Sequence, residues 1–212
     1  MNAIVSTSAS DLPPPMALAL SANFGSVNGW RDSFAELAEA HAQERGRLEL
    51  VFLPDRGVLV NQWSAAAAAS CGVPIASLQT PLKPHELFAH TDWPEAYQRY
   101  QHAVHAASES LGVERGDVGD APLFDVRRAG VFEAATSLLP GAVWRDPALV
   151  RDWAAELPID RPVVVYCVYG HEVGRATALR LCAQGVKARY LSGGIDGWQG
   201  AGLPTVAKVK AP

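Results

Sequence analysis

Three cysteines in 212 residues are too few, and odd in number, for a disulfide framework, which suits a chain kept in a reducing, cytoplasmic compartment. Two of them, Cys167 and Cys182, cannot bridge. The pattern between them predicts a helix of about ten residues spanning roughly 15 Å, whereas a disulfide needs Cα atoms within about 7 Å. Cys182 therefore reads as a small buried hydrophobe. No apolar run reaches the roughly 18 residues that cross a bilayer. Residues 1–15 lack the basic start of a secretory leader, and Met16–Leu20 is too short for its apolar core. A basic excess is missing too. Lys and Arg number 18 against 22 Asp and Glu, a net charge of -4, which argues against a nucleic-acid partner. Neither a membrane partner nor an organic cofactor is implied. His102, His105 and Glu109 share a helix face, but this face reads as solvated rather than as a metal site. What the chain does have is 49% hydrophobic residues, enough for a packed core.

The chain divides by pattern into a tail over 1–15, a mainly helical region over 16–115, an α/β domain over 116–206 and a short tail over 207–212. In the first region Trp30, Phe34, Leu37 and His41 predict a helix over 30–44. Leu48–Leu53 and Val58–Trp63 read as strands joined through Pro54-Asp55-Arg56-Gly57, a hairpin. Ser64 is placed to cap a short helix over Ala65–Ala69, and residues 73–91, with three prolines, show no period. Asp92 caps a helix, with Pro94 in its first turn, that runs to about Leu111. Residues 112–122 read as a linker. Residues 16–111 hold no second copy of the unit that follows.

That unit alternates strand and helix: strands at 123–126, up to Cys167 and at 188–191, with helices over 130–136, from about Pro147 and over 174–183. Such alternation predicts a parallel sheet covered by helices, with ligands outside the carboxyl ends of its strands. One stretch stands out. Val163-Val164-Val165-Tyr166 is a buried strand, and Cys167 ends it. A loop through Gly170 then leads into a helix, whose N-terminal N–H groups lack partners and face back toward the sulfur. Such a setting favours the thiolate, which is the nucleophile. Gly170 lets the backbone curl where a Cβ would clash.

The residues around this stretch carry a resemblance. Leu123-Phe124-Asp125-Val126-Arg127, Leu139-Pro140-Gly141-Ala142, the Cys167-x-x-Gly170 loop and Gly193-Gly194-Ile195-Asp196-Gly197-Trp198 occur in order. Together, from about Ala121 to Thr205, they resemble the rhodanese-like (sulfurtransferase) domain. The loop spelling Gly170-His171-Glu172-Val173 also resembles rhodanese domains found beside chromate-resistance proteins. The resemblance implies an α/β fold whose cysteine takes a sulfane sulfur as a persulfide and hands it to a thiophilic acceptor, small or protein. It makes Cys167 the catalytic residue. It makes Val168, Tyr169, Gly170, His171, Glu172, Val173, Gly174 and Arg175 the substrate-binding segment, and gives Asp125, Arg127 and Trp198 structural roles.

The loop departs from the family pattern in its charges. Basic residues common there are absent, and Glu172 brings a negative charge where an anionic donor would arrive, so thiosulfate is not expected to be the best donor; the enzyme is read as a sulfurtransferase of the thiosulfate sulfurtransferase (rhodanese) type whose donor is thiosulfate or a persulfide. His171 offers an adjustable charge. Val173 replaces a small hydroxyl residue. It also occupies the arginine position of the Cys-x5-Arg loop that phosphatases and arsenate reductases use to clamp an oxyanion. Arg175 stands two residues too late for that clamp, but is placed to attract an anion. A sulfurtransferase is the first reading, a binding or redox-sensing module governed by the N-terminal region the second, and an oxyanion reductase or phosphatase the third.

Overall fold

A computed structural model describes residues 12–79 and 91–208. Most of the expected N-terminal tail and the stretch 80–90 lie outside the described residues. The described chain forms two units. It divides after Ala103, and the turn Pro54–Gly57 groups with the second unit.

The first unit opens with α1 (Pro14–Phe24) and α2 (Val27–Ala40), the latter capped by Ser26, whose Oγ accepts the Gly29 N–H at 2.8 Å. The hairpin expected from the sequence is present as β1 (Gly46–Leu53) and β2 (Val58–Ala65), paired from Gly46↔Ala65 to Leu53↔Val58. A third strand, β3 (Val73–Gln79), adds to the other side of β1, so the sheet runs β2-β1-β3 and is antiparallel throughout. Trp30, Phe34, Leu48, Leu50, Phe52 and Tyr100 are fully or almost fully buried here. Burying each such side chain contributes about 1.5–3 kcal/mol.

The expected helix over Ala65–Ala69 does not form. Ser64 and Ala65 finish β2, and the buried Glu49 carboxylate accepts from Ser64 Oγ at 3.1 Å and Ser70 Oγ at 2.6 Å. Arg47 holds the carbonyls of Ala66 and Ala68 at 3.0 and 2.7 Å. These carbonyls are the acceptors a helix would have used, and the tertiary bonds outweigh alanine's modest helix preference.

From the first unit the chain enters α3 (Trp93–Ser108), where Asp92 Oδ1 accepts the Glu95 N–H at 2.9 Å as the cap pattern requires. The residues read as a linker begin instead with β4 (Gly112–Val113), an edge strand of the second sheet. Next come β5 (Leu123–Asp125), α4 (Ala129–Ala134), β6 (Ser137–Leu138), β7 (Val143–Trp144) and α5 (Val150–Trp153). The chain continues through β8 (Val163–Tyr166), α6 (Glu172–Cys182), β9 (Ala188–Leu191), α7 (Gly194–Gly200) and β10 (Val206–Ala207). Five strands form a parallel sheet in the order β4-β9-β8-β5-β7, flanked by helices. β10 pairs with β6 separately.

The central strand explains its own composition. Val163 and Val165 enter a core with Val126, Trp153, Ala178 and Leu181. Val164 and Tyr166 enter another with Val113, Leu139, Leu191 and Ile195. Side chains alternate across a strand, so a strand with a core on each face has no polar position. Among the described residues, no helix is long and apolar enough to cross a membrane.

Candidate functional site

Cys167 follows β8 directly, at the carboxyl end of the central strand, and is 5% exposed. Four backbone N–H groups, from Gly174, Gly170, His171 and Tyr169, turn toward its sulfur. Gly170 makes this possible. Its φ of +67° lies in the left-handed region, and a Cβ there would come within 2.7 Å of Gly193 N and Leu191 O. Gly174, in the first turn of α6, lies where a Cβ would be 3.3 Å from the sulfur.

The loop is fastened from behind. Cys167 O accepts the Ile195 N–H at 3.0 Å, and Val168 O accepts the Asp196 N–H at 2.9 Å. The first turn of α7 thus spends two of its unpaired donors on the loop's carbonyls, which leaves the loop's amides turned to the sulfur. Gly194, with φ +56°, lets the two backbones meet; a Cβ on it would lie 2.4 Å from Val168 O and 2.5 Å from Cys167 O. Gly193 and Gly194 belong to the motif that carried the resemblance. Their fastening role was not read from the sequence, although a Gly-Gly pair closing a strand is the signal that could have suggested it.

The balance of charge differs from the sequence expectation. Burial pushes the Cys167 thiol above its ordinary value, and the four amides offset this only in part. The expectation of a favoured thiolate is thus corrected: desolvation outweighs the amide field.

Glu172 is corrected as well. It faces inward, 6% exposed, and its carboxylate takes Arg128 Nη2 at 3.0 and 3.1 Å. Burial pushes its carboxyl above the usual range while Arg128 pulls it back in part. It presents no bare negative charge to an arriving anion.

Arg175, expected as an attractor of anions, is committed to the protein. Nε donates to Gly170 O at 3.0 Å, Nη1 donates to Ser108 Oγ at 3.3 Å, and the guanidinium carbon lies 4.2 Å from the Tyr190 ring centroid.

The rest of the loop forms the rim. Tyr169 is 56% exposed. His171 is exposed too, with its ring centroid 5.7 Å from that of Tyr169 and 6.2 Å from that of His105. Val168 and Val173 are half-buried. Beside Val168 a cavity of about 490 Å³ opens, lined by Val131, Ala134, Ala135, Ile195 and Asp196 among others.

Asp125 and Arg127 sit beneath, buried, with Arg127 Nε at 3.0 and 2.9 Å from the two carboxylate oxygens and Nη2 at 2.9 Å from Ser137 O. Next to them the Tyr166 hydroxyl accepts the Leu139 N–H at 3.2 Å. Its pKa is raised, by burial first and then by Asp125. Trp198 packs partly against the core around Ile195, and its Nε1 donates to Pro204 O at 2.9 Å. It does not line the cavity. Cys182 and Cys71 are free thiols, the first packed against a core and the second exposed.

A parallel α/β unit thus holds one buried thiol under backbone amides at the carboxyl end of its central strand, the place where open α/β sheets bind their ligands. The family model of the rhodanese-like domain matches residues 110–201. A protein of Allochromatium vinosum named sulfurtransferase is 38% identical over 101 residues, which cover 47% of this chain and 92% of that one. Among solved structures, a Lactobacillus plantarum protein is 26% identical with a TM-score of 0.42, covering 48% of this chain and 92% of its own. A rhodanese-related protein of Thermoplasma volcanium is 22% identical with a TM-score of 0.40, covering 45% and 96%. The chain belongs to the rhodanese-like family.

Proposed function

We propose that this protein is a sulfurtransferase that carries sulfur as a persulfide on Cys167. The observation that carries this reading is the ring of four amides around one buried sulfur at a strand end. The Cys167 thiolate attacks the outer, sulfane sulfur of a donor. A new S–S bond forms, the donor's own S–S or S–S(O) bond breaks, and the leaving group (sulfite from thiosulfate, a thiolate from a persulfide) departs with the electron pair. A thiophilic acceptor, small or protein, then attacks the outer sulfur and the Cys167 thiolate leaves. Both the attacking thiolate and the bound persulfide are anions, and preorganised amides stabilise each without a cationic side chain.

The pairing of Glu172 with Arg128 removes the charge argument against thiosulfate, so thiosulfate and persulfides both fit as donors. The cavity beside Val168 gives room for the organic part of a persulfide donor or of an acceptor. The phosphatase reading is disfavoured because position 173 is valine and the Arg175 guanidinium is spent on Gly170 O, Ser108 and Tyr190.

Intact mass after brief exposure to thiosulfate or to a low-molecular-weight persulfide tests the proposal. The wild type gains one sulfur atom and Cys167→Ala gains none. If neither donor adds sulfur to the wild type, the carrier reading fails and the redox-sensing module takes its place.

A pH prediction follows from burial. With the thiol pushed above its ordinary value of about 8.5, the rate of Cys167 alkylation by iodoacetamide keeps climbing past that pH. A plateau reached near neutral pH would mean that the amides outweigh burial.

A further inference from the structure

Arg175 has three fixed partners and no role in the transfer described above. It stands in the first half of α6, and its side chain turns back over the loop. Its Nε donates to Gly170 O at 3.0 Å. Its Nη1 donates to Ser108 Oγ, on a residue with no exposed surface that is itself anchored to Val104 O at 2.7 Å. Its guanidinium carbon lies 4.2 Å from the ring centroid of Tyr190, a buried residue of β9. A guanidinium held by a fork of donors and by a flat aromatic face has little freedom left.

The consequence lies in the peptide that Arg175 grips. The carbonyl of Gly170 and the N–H of His171 belong to one planar unit and point in opposite directions. Pinning Gly170 O to the guanidinium therefore aims the His171 N–H the other way, and that N–H is one of the four that face the Cys167 sulfur. The positive charge behind the carbonyl also polarises the peptide, which strengthens its N–H as a donor. Gly170 gains from such a hold, since a glycine restrains its own φ and ψ least of all residues.

We propose that Arg175 is a positioning residue of the sulfur site, acting through the Gly170–His171 peptide to orient and polarise an amide that binds the anionic sulfur of Cys167. The inference rests on Cys167 being the reactive group. It differs from direct attraction of an anionic donor, because the guanidinium is engaged with the protein. The charged and titratable groups of the site and of the elements packed on it are the Arg128–Glu172 pair, the buried Asp125–Arg127 pair with Tyr166, Tyr169 and His171 on the rim, His105 beside His171, and Tyr190 under the guanidinium. The hold on Gly170 O comes from Arg175.

The test reads the thiolate itself. In a Cys71→Ser, Cys182→Ala background, ultraviolet thiolate absorbance is followed against pH for Arg175, Arg175→Met and Arg175→Lys. Arg175→Met moves the midpoint upward by about one pH unit, which is about tenfold less thiolate at a given pH. Arg175→Lys, which keeps the charge and a donor but loses the fork and the flat stacking, moves it by less. A loosened loop without the proposed role would expose the sulfur and lower the midpoint. A midpoint that stays or falls in Arg175→Met therefore overturns the proposal. So does a change confined to KM for thiosulfate with an unmoved midpoint, which would mark a direct attractor. If Arg175→Met gives no cooperative melt, Arg175→Lys decides: an upward shift supports the proposal and an unmoved midpoint overturns it. Thiolate absorbance needs no sulfur donor, so a protein that shows the shift yet takes up no sulfur would sink the transfer reading and leave this one standing.

Discussion

Gly194→Ala lowers sulfur uptake at Cys167 by about 100-fold or more and lowers the melting temperature as well. The added Cβ would sit 2.4 Å from Val168 O, 2.5 Å from Cys167 O and 2.7 Å from Gly170 N. All three are backbone atoms, so no side chain can swing aside. The residue also has φ +56°, which costs an alanine roughly 1–2 kcal/mol, and forcing atoms into a filled space adds about 1–3 kcal/mol. A loss of a few kcal/mol leaves most domains folded, since their margin is roughly 5–15 kcal/mol. The strain therefore goes where the structure is softest. β8 and α6 are locked by ladder and helix bonds, but the loop is held to α7 by the two bonds from Ile195 and Asp196. Relieving the clash moves the loop by about 1 Å, and a misplacement of that size costs on the order of 100-fold in rate. Gly174→Ala is the contrast. Its Cβ would meet the sulfur at 3.3 Å with no φ penalty, so the fold survives and the effect is smaller. Intact-mass sulfur uptake beside a thermal melt measures both variants. Uptake in Gly194→Ala within a few-fold of wild type would mean that the α7 contact does not set the loop.

The α/β unit was legible because its signals are local. Val163–Tyr166 is apolar on both faces, and a central parallel strand has a core on each side. The break at Cys167 and Gly170 marks the loop without any knowledge of the sheet. The first region was harder. β3 carries Pro74, and its pairing with β1 shifts register between Leu50 and Val51, so its buried residues Ile75, Ala76 and Leu78 do not alternate. α1 buries Met16, Ala19 and Leu20 at helical spacing, but its flanking prolines and short apolar run hid it. The alanine run at 65–69 has helix propensity, and Arg47 and Glu49 override it from β1. In the site, the sequence named the residues but not their partners. Arg128 lies 44 positions from Glu172, and Ser108 lies 67 from Arg175. Charges read from a loop in isolation face outward by default. Only the fold shows that both of these are turned inward and satisfied.

Arg128→Met destabilises the protein by about 1–3 kcal/mol near neutral pH, because the buried Glu172 carboxylate loses its hydrogen-bonded guanidinium, which is itself partly exposed, and keeps only the charge of Arg180. Glu172 is 6% exposed and opens α6, so its charge is poorly solvated once the guanidinium is gone. The pH dependence gives the sign. Burial already holds the Glu172 carboxyl above its ordinary value, with Arg128 pulling it down in part. A carboxyl whose folded pKa is raised binds its proton more tightly folded than unfolded. Its contribution is fully present below the unfolded value of about 4.3 and is lost as the pH rises through the folded value. Removing Arg128 raises that folded value further. The penalty of Arg128→Met is therefore larger at pH 8 than at pH 5, where the neutral acid can stay buried. Glu172→Gln in the same chain removes the charge while keeping the shape, so Arg128→Met with Glu172→Gln recovers much of the loss and flattens its pH dependence. Denaturant midpoints at the two pH values decide the matter. Equal losses at pH 5 and pH 8 would mean that Arg128 contributes packing rather than charge. The site feels the same change, because Gly174, whose N–H faces the sulfur, lies two residues after Glu172 in the turn that this ion pair secures.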